Sequence, residues 1–192
     1  MTWYLASFYK FAPVPDVPGL QARLRQRGAE LGIYGTILLS SEGINAGIAA
    51  QSAQARDAML DRIARAIDIQ DCRISYSTCA TRPYGTLKVE HRDEIITTRL
   101  GAQTDPGRAV GQYVTPEDWN TLIQDERVTL IDTRNTYETR TGTFRGSIDP
   151  GLSTFTDFID YVDTHLDPDR NKHVAMFCTG GIRCEKASSY MR

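Results

Sequence analysis

The 192 residues carry 24 acidic and 22 basic side chains, a net charge of −2, with 41% hydrophobic and 24% charged content. That balance excludes a disordered chain and a globally basic nucleic-acid binder, so any nucleic-acid contact must rest on a local patch. No apolar run approaches the ~18 residues of a membrane span. Residues 1–10 lack the basic n-region of a secretory signal, and Cys72, Cys79, Cys178 and Cys184 read as free thiols of a cytoplasmic protein.

In chain order, the aromatic-rich stretch Trp3 to Phe11 reads as a first strand. Pro13, Pro15 and Pro18 end it, and Asp16 caps a helix over 17–31 that carries Leu20, Leu24 and Leu31 near helical spacing and closes at Gly28 and Gly32. Strands at 33–40 and 44–49, joined by Ser40-Ser41-Glu42-Gly43, form a hairpin. A helix over 51–67 sets Ala55, Met59, Ile63 and Ile67 on one face. A fourth strand at 72–77, continued at 87–96 after the turn at Arg82-Pro83-Tyr84-Gly85, completes the order βαββαβ. That order indicates a ferredoxin-like α+β sandwich over 1–95. Arg73, Arg82, Lys88, His91, Arg92 and Arg99, with Tyr76 and Tyr84, form a mildly basic stretch that reads either as a solvated face or as a tRNA contact.

Residues 96–112 are rich in glycine and poor in apolar side chains, the composition of a linker. Beyond it, over 113–192, Thr115-Pro116-Glu117-Asp118 starts a helix, Val128 to Asp132 is a buried strand, Ser153 to Leu166 is a helix with Phe155, Phe158, Ile159 and Val162 on one side, and His173 to Phe177 is a strand. Alternating strands and helices imply a parallel α/β sheet whose ligand site lies at the carboxyl ends of the strands.

Cys178 stands at such an end, followed by Thr179-Gly180-Gly181-Ile182-Arg183 and a helix beginning at about Arg183. Loop N–H groups and a helix N-terminus converge there, which favours an anion and lowers a thiol pKa. Cys184 is either a packing residue of the helix or a partner that resolves an oxidised Cys178. Arg183 stands five positions after Cys178, one fewer than in cysteine phosphatases, so the loop suits a sulfur or small-anion substituent better than a phosphoryl group. The cysteine spacings are too wide for a zinc knuckle, and no metal site is expected. Asp132, Arg134 and Glu138 read either as substrate contacts or as an internal ionic brace.

The stretch Ile131-Asp132-Thr133-Arg134-Asn135-Thr136-Tyr137-Glu138, then Gly142-Thr143-Phe144-Arg145-Gly146-Ser147-Ile148, and the Cys178 loop resemble the rhodanese fold. With the N-terminal half, its Ser41-Glu42-Gly43-Ile44-Asn45 turn and Cys178 to Lys186, the whole chain resembles the rhodanese-domain tRNA uridine 5-hydroxylase family. The resemblance implies an incomplete rhodanese-like domain over 113–192, since the chain stops in mid-helix at Tyr190-Met191-Arg192 where a rhodanese domain continues. It implies hydroxylation of C5 of the wobble uridine of tRNA, with molecular oxygen as co-substrate, no identifiable bound cofactor, Cys178 as the essential residue, and Thr143, Phe144 and Arg145 at the pocket mouth. A thiosulfate or persulfide sulfurtransferase and a non-catalytic RNA- or protein-binding module remain the alternatives.

Overall fold

A computed structural model of the chain describes residues 1–69 and 71–192, which form two compact units, Met1–Ile95 and Ile96–Arg192. The first contains β1 (Trp3–Phe11), α1 (Val17–Leu31), β2 (Tyr34–Ser40), β3 (Gly43–Ala50), α2 (Ala53–Ala64), β4 (Ser75–Cys79) and β5 (Leu87–His91). The strands run β4-β1-β3-β2-β5 across one sheet. The first four are the antiparallel ferredoxin-like arrangement, and β5 adds to β2 in parallel.

Local chemistry sets these bounds. The Asp16 carboxylate accepts the Gly19 N–H at 2.8 Å, capping α1 at its start, and Gly32, in the left-handed region at φ 64°, ends it. Ser52 caps α2 in the same way. Side chains alternate along each strand, so Ala6, Phe8, Ile37, Leu39, Ile44, Ala46 and Ile48 share one face. Leu20 and Leu24 of α1 and Met59 and Ile63 of α2 bury that face. At ~1.5–3 kcal/mol for each large apolar side chain withdrawn from water, this layer dominates the stability of the unit.

One expectation is corrected. Residues 87–91 do not continue the fourth strand: they lie at the opposite edge of the sheet, beside β2. Helix α1 holds them there, because the Gln21 amide and the Arg25 guanidinium each donate to the Val89 carbonyl at 2.8 Å. Gly28 leaves room for Leu87, whose Cδ2 would stand 2.1 Å from any Cβ at that position. The outer edge of β5 is thereby occupied by side chains, which protects it from pairing with another strand. The unit closes where the Ile95 N–H donates to the Glu42 carboxylate at 2.7 Å and the Asn45 amide donates to the Ile95 carbonyl at 3.2 Å.

The second unit contains a short 3-10 turn (Gly101–Thr104), α3 (Pro116–Leu122), β6 (Val128–Asp132), α4 (Thr136–Thr139), α5 (Asp157–His165), β7 (His173–Phe177) and α6 (Ile182–Tyr190). Strands β6 and β7 pair in parallel, with Asp132 opposite Phe177, and Ile148 bridges Ile131 in parallel on the way. Ile131, Leu152, Phe155, Phe158 and Ala187 form its core. The segment 96–112, read above as a linker, is engaged by α6: the Gly111 N–H donates to Ser188 Oγ at 2.9 Å and Ser189 Oγ donates to the Asp105 carbonyl at 2.8 Å. The helix expected from 153 begins at Asp157 instead, because the Asp157 carboxylate takes the Ser153 and Thr154 N–H groups at 3.0 and 2.9 Å and folds those residues into a turn. Among the described residues no helix is long and apolar enough to cross a membrane.

Leu24 is fully buried, so Leu24→Ala is expected to cost about 2–5 kcal/mol. Urea unfolding followed by fluorescence of Trp3, itself buried in this unit, measures that loss.

Candidate active site

The carboxyl ends of β6 and β7 are tied at one level. The Thr133 N–H and the Thr133 hydroxyl both donate to the Phe177 carbonyl at 3.0 Å. The next residue is Cys178. The chain then reverses through Thr179 and Gly180 into Gly181, whose φ of 97° is left-handed and so favours glycine, and α6 starts at Ile182. The turn returns a backbone donor to the sulfur: the Gly181 N–H donates to Cys178 Sγ at 3.0 Å, and Cys184 follows on the first turn of α6.

These contacts lower the Cys178 pKa to about 5. The Cys184 thiol is the largest cause, with the Cys184 N–H, the Arg183 charge and the Gly181 N–H behind it, while burial opposes them. The loop thereby favours the thiolate form of Cys178. Cys184 shifts the other way, well above the ordinary thiol range, through its contact with Cys178 and burial. The two thiols form a coupled pair whose protonation shifts in opposite directions.

The sequence points to Arg183 as part of an anion-binding loop, and the guanidinium is already engaged. It donates to both oxygens of Glu138 at 2.6 and 2.7 Å and to Thr179 Oγ1 at 3.3 Å, and Thr179 Oγ1 in turn donates to Glu138. Glu138 also accepts the Asn135 N–H at 3.1 Å, closing a capping box on α4. The Arg183 hydrogen bonds are the largest influence holding the Glu138 carboxyl down to about 2, and burial opposes them. Ile182 is half-buried, and Thr179 and Gly180 are exposed.

Asp132 and Arg134 form the internal brace. Arg134 donates to the buried Asp132 carboxylate at 2.9 and 2.6 Å and to the Gly142 carbonyl at 2.7 Å, and the Thr143 hydroxyl completes the set at 2.7 Å. Cys178 and Cys184 border a cavity of about 820 Å³ whose walls include Trp119, Phe144 and Phe177. The three rings meet edge to face, Phe144 and Phe177 with centroids 4.8 Å apart. Phe144 was expected at the pocket mouth; Thr143 belongs to the brace, and Arg145 is exposed. Trp119 had no signal in the sequence, since a lone aromatic on a short helix says nothing of what it faces.

The parts of the basic stretch on β4 and on β5 lie at opposite edges of the first unit's sheet. Arg82 lies over the Tyr34 ring at 5.2 Å, Arg92 pairs with Glu90, and Tyr76 lies under Arg56 at 4.6 Å. A groove of about 380 Å³ between α1 and α2 instead gathers Arg23, Arg27, Arg62 and Arg65, together with Glu30 and Asp61.

Two outcomes follow. Iodoacetamide labelling of Cys178 is expected to titrate with a midpoint near pH 5, as quantitative mass spectrometry of the labelled peptide will read, against ~8.5 for a free thiol. Glu138, with its carboxyl lowered, contributes stability that is fully present above about pH 4.5 and is lost as pH falls toward about 2. Thermal unfolding against pH is expected to show that slope in the wild type and not in Glu138→Gln. At neutral pH the variant is expected to lose roughly 3–5 kcal/mol, because the buried Glu138–Arg183 pair is broken on one side.

Residues 3–95 match the family model of the UPF0176 acylphosphatase like domain. The chain is 48% identical over 186 residues to the tRNA uridine(34) hydroxylase of Picosynechococcus sp., across 96% of this chain and 61% of that protein. It is 46% identical over 191 residues to that of Nitrobacter hamburgensis, across 97% and 74%, and 44% identical over 192 residues to that of Synechocystis sp., across 100% and 68%. Among solved structures, acylphosphatase from Bacillus subtilis aligns at a TM-score of 0.34 and 12% identity, over 47% of this chain and 99% of that one. The chain thus spans 61 to 74% of the length of these curated relatives, and on residues matched nearly end to end it belongs to the tRNA uridine(34) hydroxylase family.

Proposed function

We propose that this chain serves the oxygen-dependent hydroxylation of C5 of the wobble uridine in tRNA, with Cys178 as its nucleophile, in a rhodanese-like domain of a cytoplasmic protein. The observation that carries the reading is the place of the Cys178 sulfur, at the end of a parallel strand and taking the Gly181 N–H at 3.0 Å, in a loop that lowers its pKa. The names of the relatives supply the substrate. Carbon 5 of a uracil ring is not nucleophilic enough to meet oxygen unaided. A thiolate that adds at C6 turns C5 into an enolate carbon, the position that takes the oxygen atom, and such an adduct needs a charged sulfur at neutral pH.

The chain's own groups have defined parts in that scheme. Loop N–H groups stabilise the thiolate before attack and again when C6 releases it. The Glu138–Arg183 clamp and the Asp132–Arg134 brace hold the loop and the strand ends in register. The rings of Phe144, Phe177 and Trp119 offer apolar and edge-on surface beside the sulfur on which a flipped base can rest. The arginines between α1 and α2 offer phosphate contacts for the tRNA.

Cells whose only copy of the protein carries Cys178→Ser, in its native reading frame, are expected to lose 5-hydroxyuridine-derived nucleosides at the wobble position, as digestion of bulk tRNA and mass spectrometry will show. Unchanged modification sinks the reading. A sulfurtransferase would instead show, after incubation with thiosulfate, a reductant-sensitive gain of one sulfur mass on Cys178.

A further inference from the structure

Inserting one atom of molecular oxygen at C5 and reducing the other to water takes two electrons and two protons beyond what the C–H bond supplies. We infer that Cys178 and Cys184 together provide them, closing to an intramolecular disulfide in each turnover. This rests on the hydroxylase reading above and gives it a source of reducing equivalents within the site.

Cys178 and Cys184 are placed for this. Both border the same cavity, and each thiol is the largest influence on the other's protonation. Bringing the two sulfurs to a bond of about 2.05 Å asks for movement of a turn in which Gly180 has open space around it. The other neighbour of Cys184 is Thr133 Oγ1, 3.7 Å from its sulfur. The Thr133 hydroxyl donates its own proton to the Phe177 carbonyl at 3.0 Å, so its lone pair faces the Cys184 S–H. Cys184 therefore keeps a proton acceptor when the Cys178 sulfur is occupied by a base. The remaining cysteines belong to the first unit and hydrogen-bond local carbonyls there, Cys72 that of Tyr9 and Cys79 that of Thr81.

The steps balance. The Cys178 thiolate adds to C6, and the C5 enolate takes up molecular oxygen and one proton to give a C5 hydroperoxide. The Cys184 thiol attacks its terminal oxygen: the O–O bond breaks, C5 keeps a hydroxyl, and Cys184 becomes a sulfenic acid. Loss of the C5 proton expels the Cys178 thiolate from C6 and restores the ring as 5-hydroxyuridine. That thiolate attacks the Cys184 sulfenic sulfur, releasing hydroxide and forming the S–S bond. In sum, uridine, one oxygen molecule and two thiols give 5-hydroxyuridine, water and one disulfide. An external thiol or dithiol reductant then reopens the pair by thiol–disulfide exchange.

The test uses the full chain, reduced and then freed of reductant, with an unmodified tRNA transcript in air-saturated buffer. At most one 5-hydroxyuridine is expected per chain, matched by loss of two hydrogen masses in a peptide linking Cys178 to Cys184; added dithiol restores turnover. Cys184→Ser is expected to keep its thermal unfolding temperature and remain alkylated at Cys178, yet release product only at background. Wild-type yield from Cys184→Ser in thiol-free buffer, or product formed with both wild-type thiols still free, overturns the electron-donor role and leaves the hydroxylase reading standing. Failure of diamide to join Cys178 to Cys184 overturns the pair in the same way. If diamide joins them but the wild type makes no 5-hydroxyuridine, the hydroxylase reading falls and takes the electron-donor role with it.

Discussion

The site depends on one ion pair. Arg183 sits on the first turn of α6 and Glu138 on the one-turn helix α4, and their paired hydrogen bonds fix the turn that carries Cys178. Both side chains are largely withdrawn from water, at 11% and 14% exposure. Desolvation on this scale costs several kcal/mol per ion, so the pair persists because further donors complete it. Thr179 and the Asn135 N–H supply them. The same contacts close the capping box of α4 and tether the exposed start of the loop, so a single carboxylate sets the geometry of two elements.

Electrostatics at the sulfur follows from that rigidity. Cys178 is partly buried, which by itself would push a thiol upward. The opposing contributions are mostly short-range hydrogen bonds, and these are lost when a donor moves by about an ångström. Arg183 adds a long-range positive charge, much of it cancelled by Glu138. A charge-paired arginine together with the Gly181 N–H stabilises a small anion on the sulfur without holding a fully charged substrate in place. That differs from a phosphate loop, where the arginine must stay free to grip the phosphoryl oxygens, and it accords with the shorter interval between Cys178 and Arg183.

Local signals were legible wherever the cause was local. Pro13, Pro15, Pro18, Asp16 and Gly32 bound β1 and α1 through their own backbone preferences, and Gly180-Gly181 marked the turn after Cys178. What escaped was long-range. Alternation identifies a strand but not its neighbour, and β5 was placed by Gln21, Arg25 and Gly28 of a helix some sixty residues earlier. The spacing between Cys178 and Arg183 could not show that Glu138, 45 residues before the arginine, would claim its guanidinium. Helix α4 is too short for periodicity to reveal, and the first turn expected of α5 gave way to the Asp157 side chain.

The second sulfur separates two chemistries that the loop alone leaves equal. A thiolate in a ring of N–H groups suits a persulfide carrier as well as a nucleophile that adds to a pyrimidine. A carrier, however, must keep its sulfane sulfur until an acceptor arrives. Cys184 borders the same cavity as Cys178, and its thiol would attack a persulfide there at the inner sulfur, form the Cys178–Cys184 disulfide and expel hydrogen sulfide. Such a carrier discharges into its own wall. A nucleophile that must be released from a carbon adduct and then share out two electrons meets the opposite situation, because the neighbouring thiol is the group that completes its cycle. The position of Cys184 therefore weighs for transient carbon–sulfur chemistry at Cys178 and against sulfur storage.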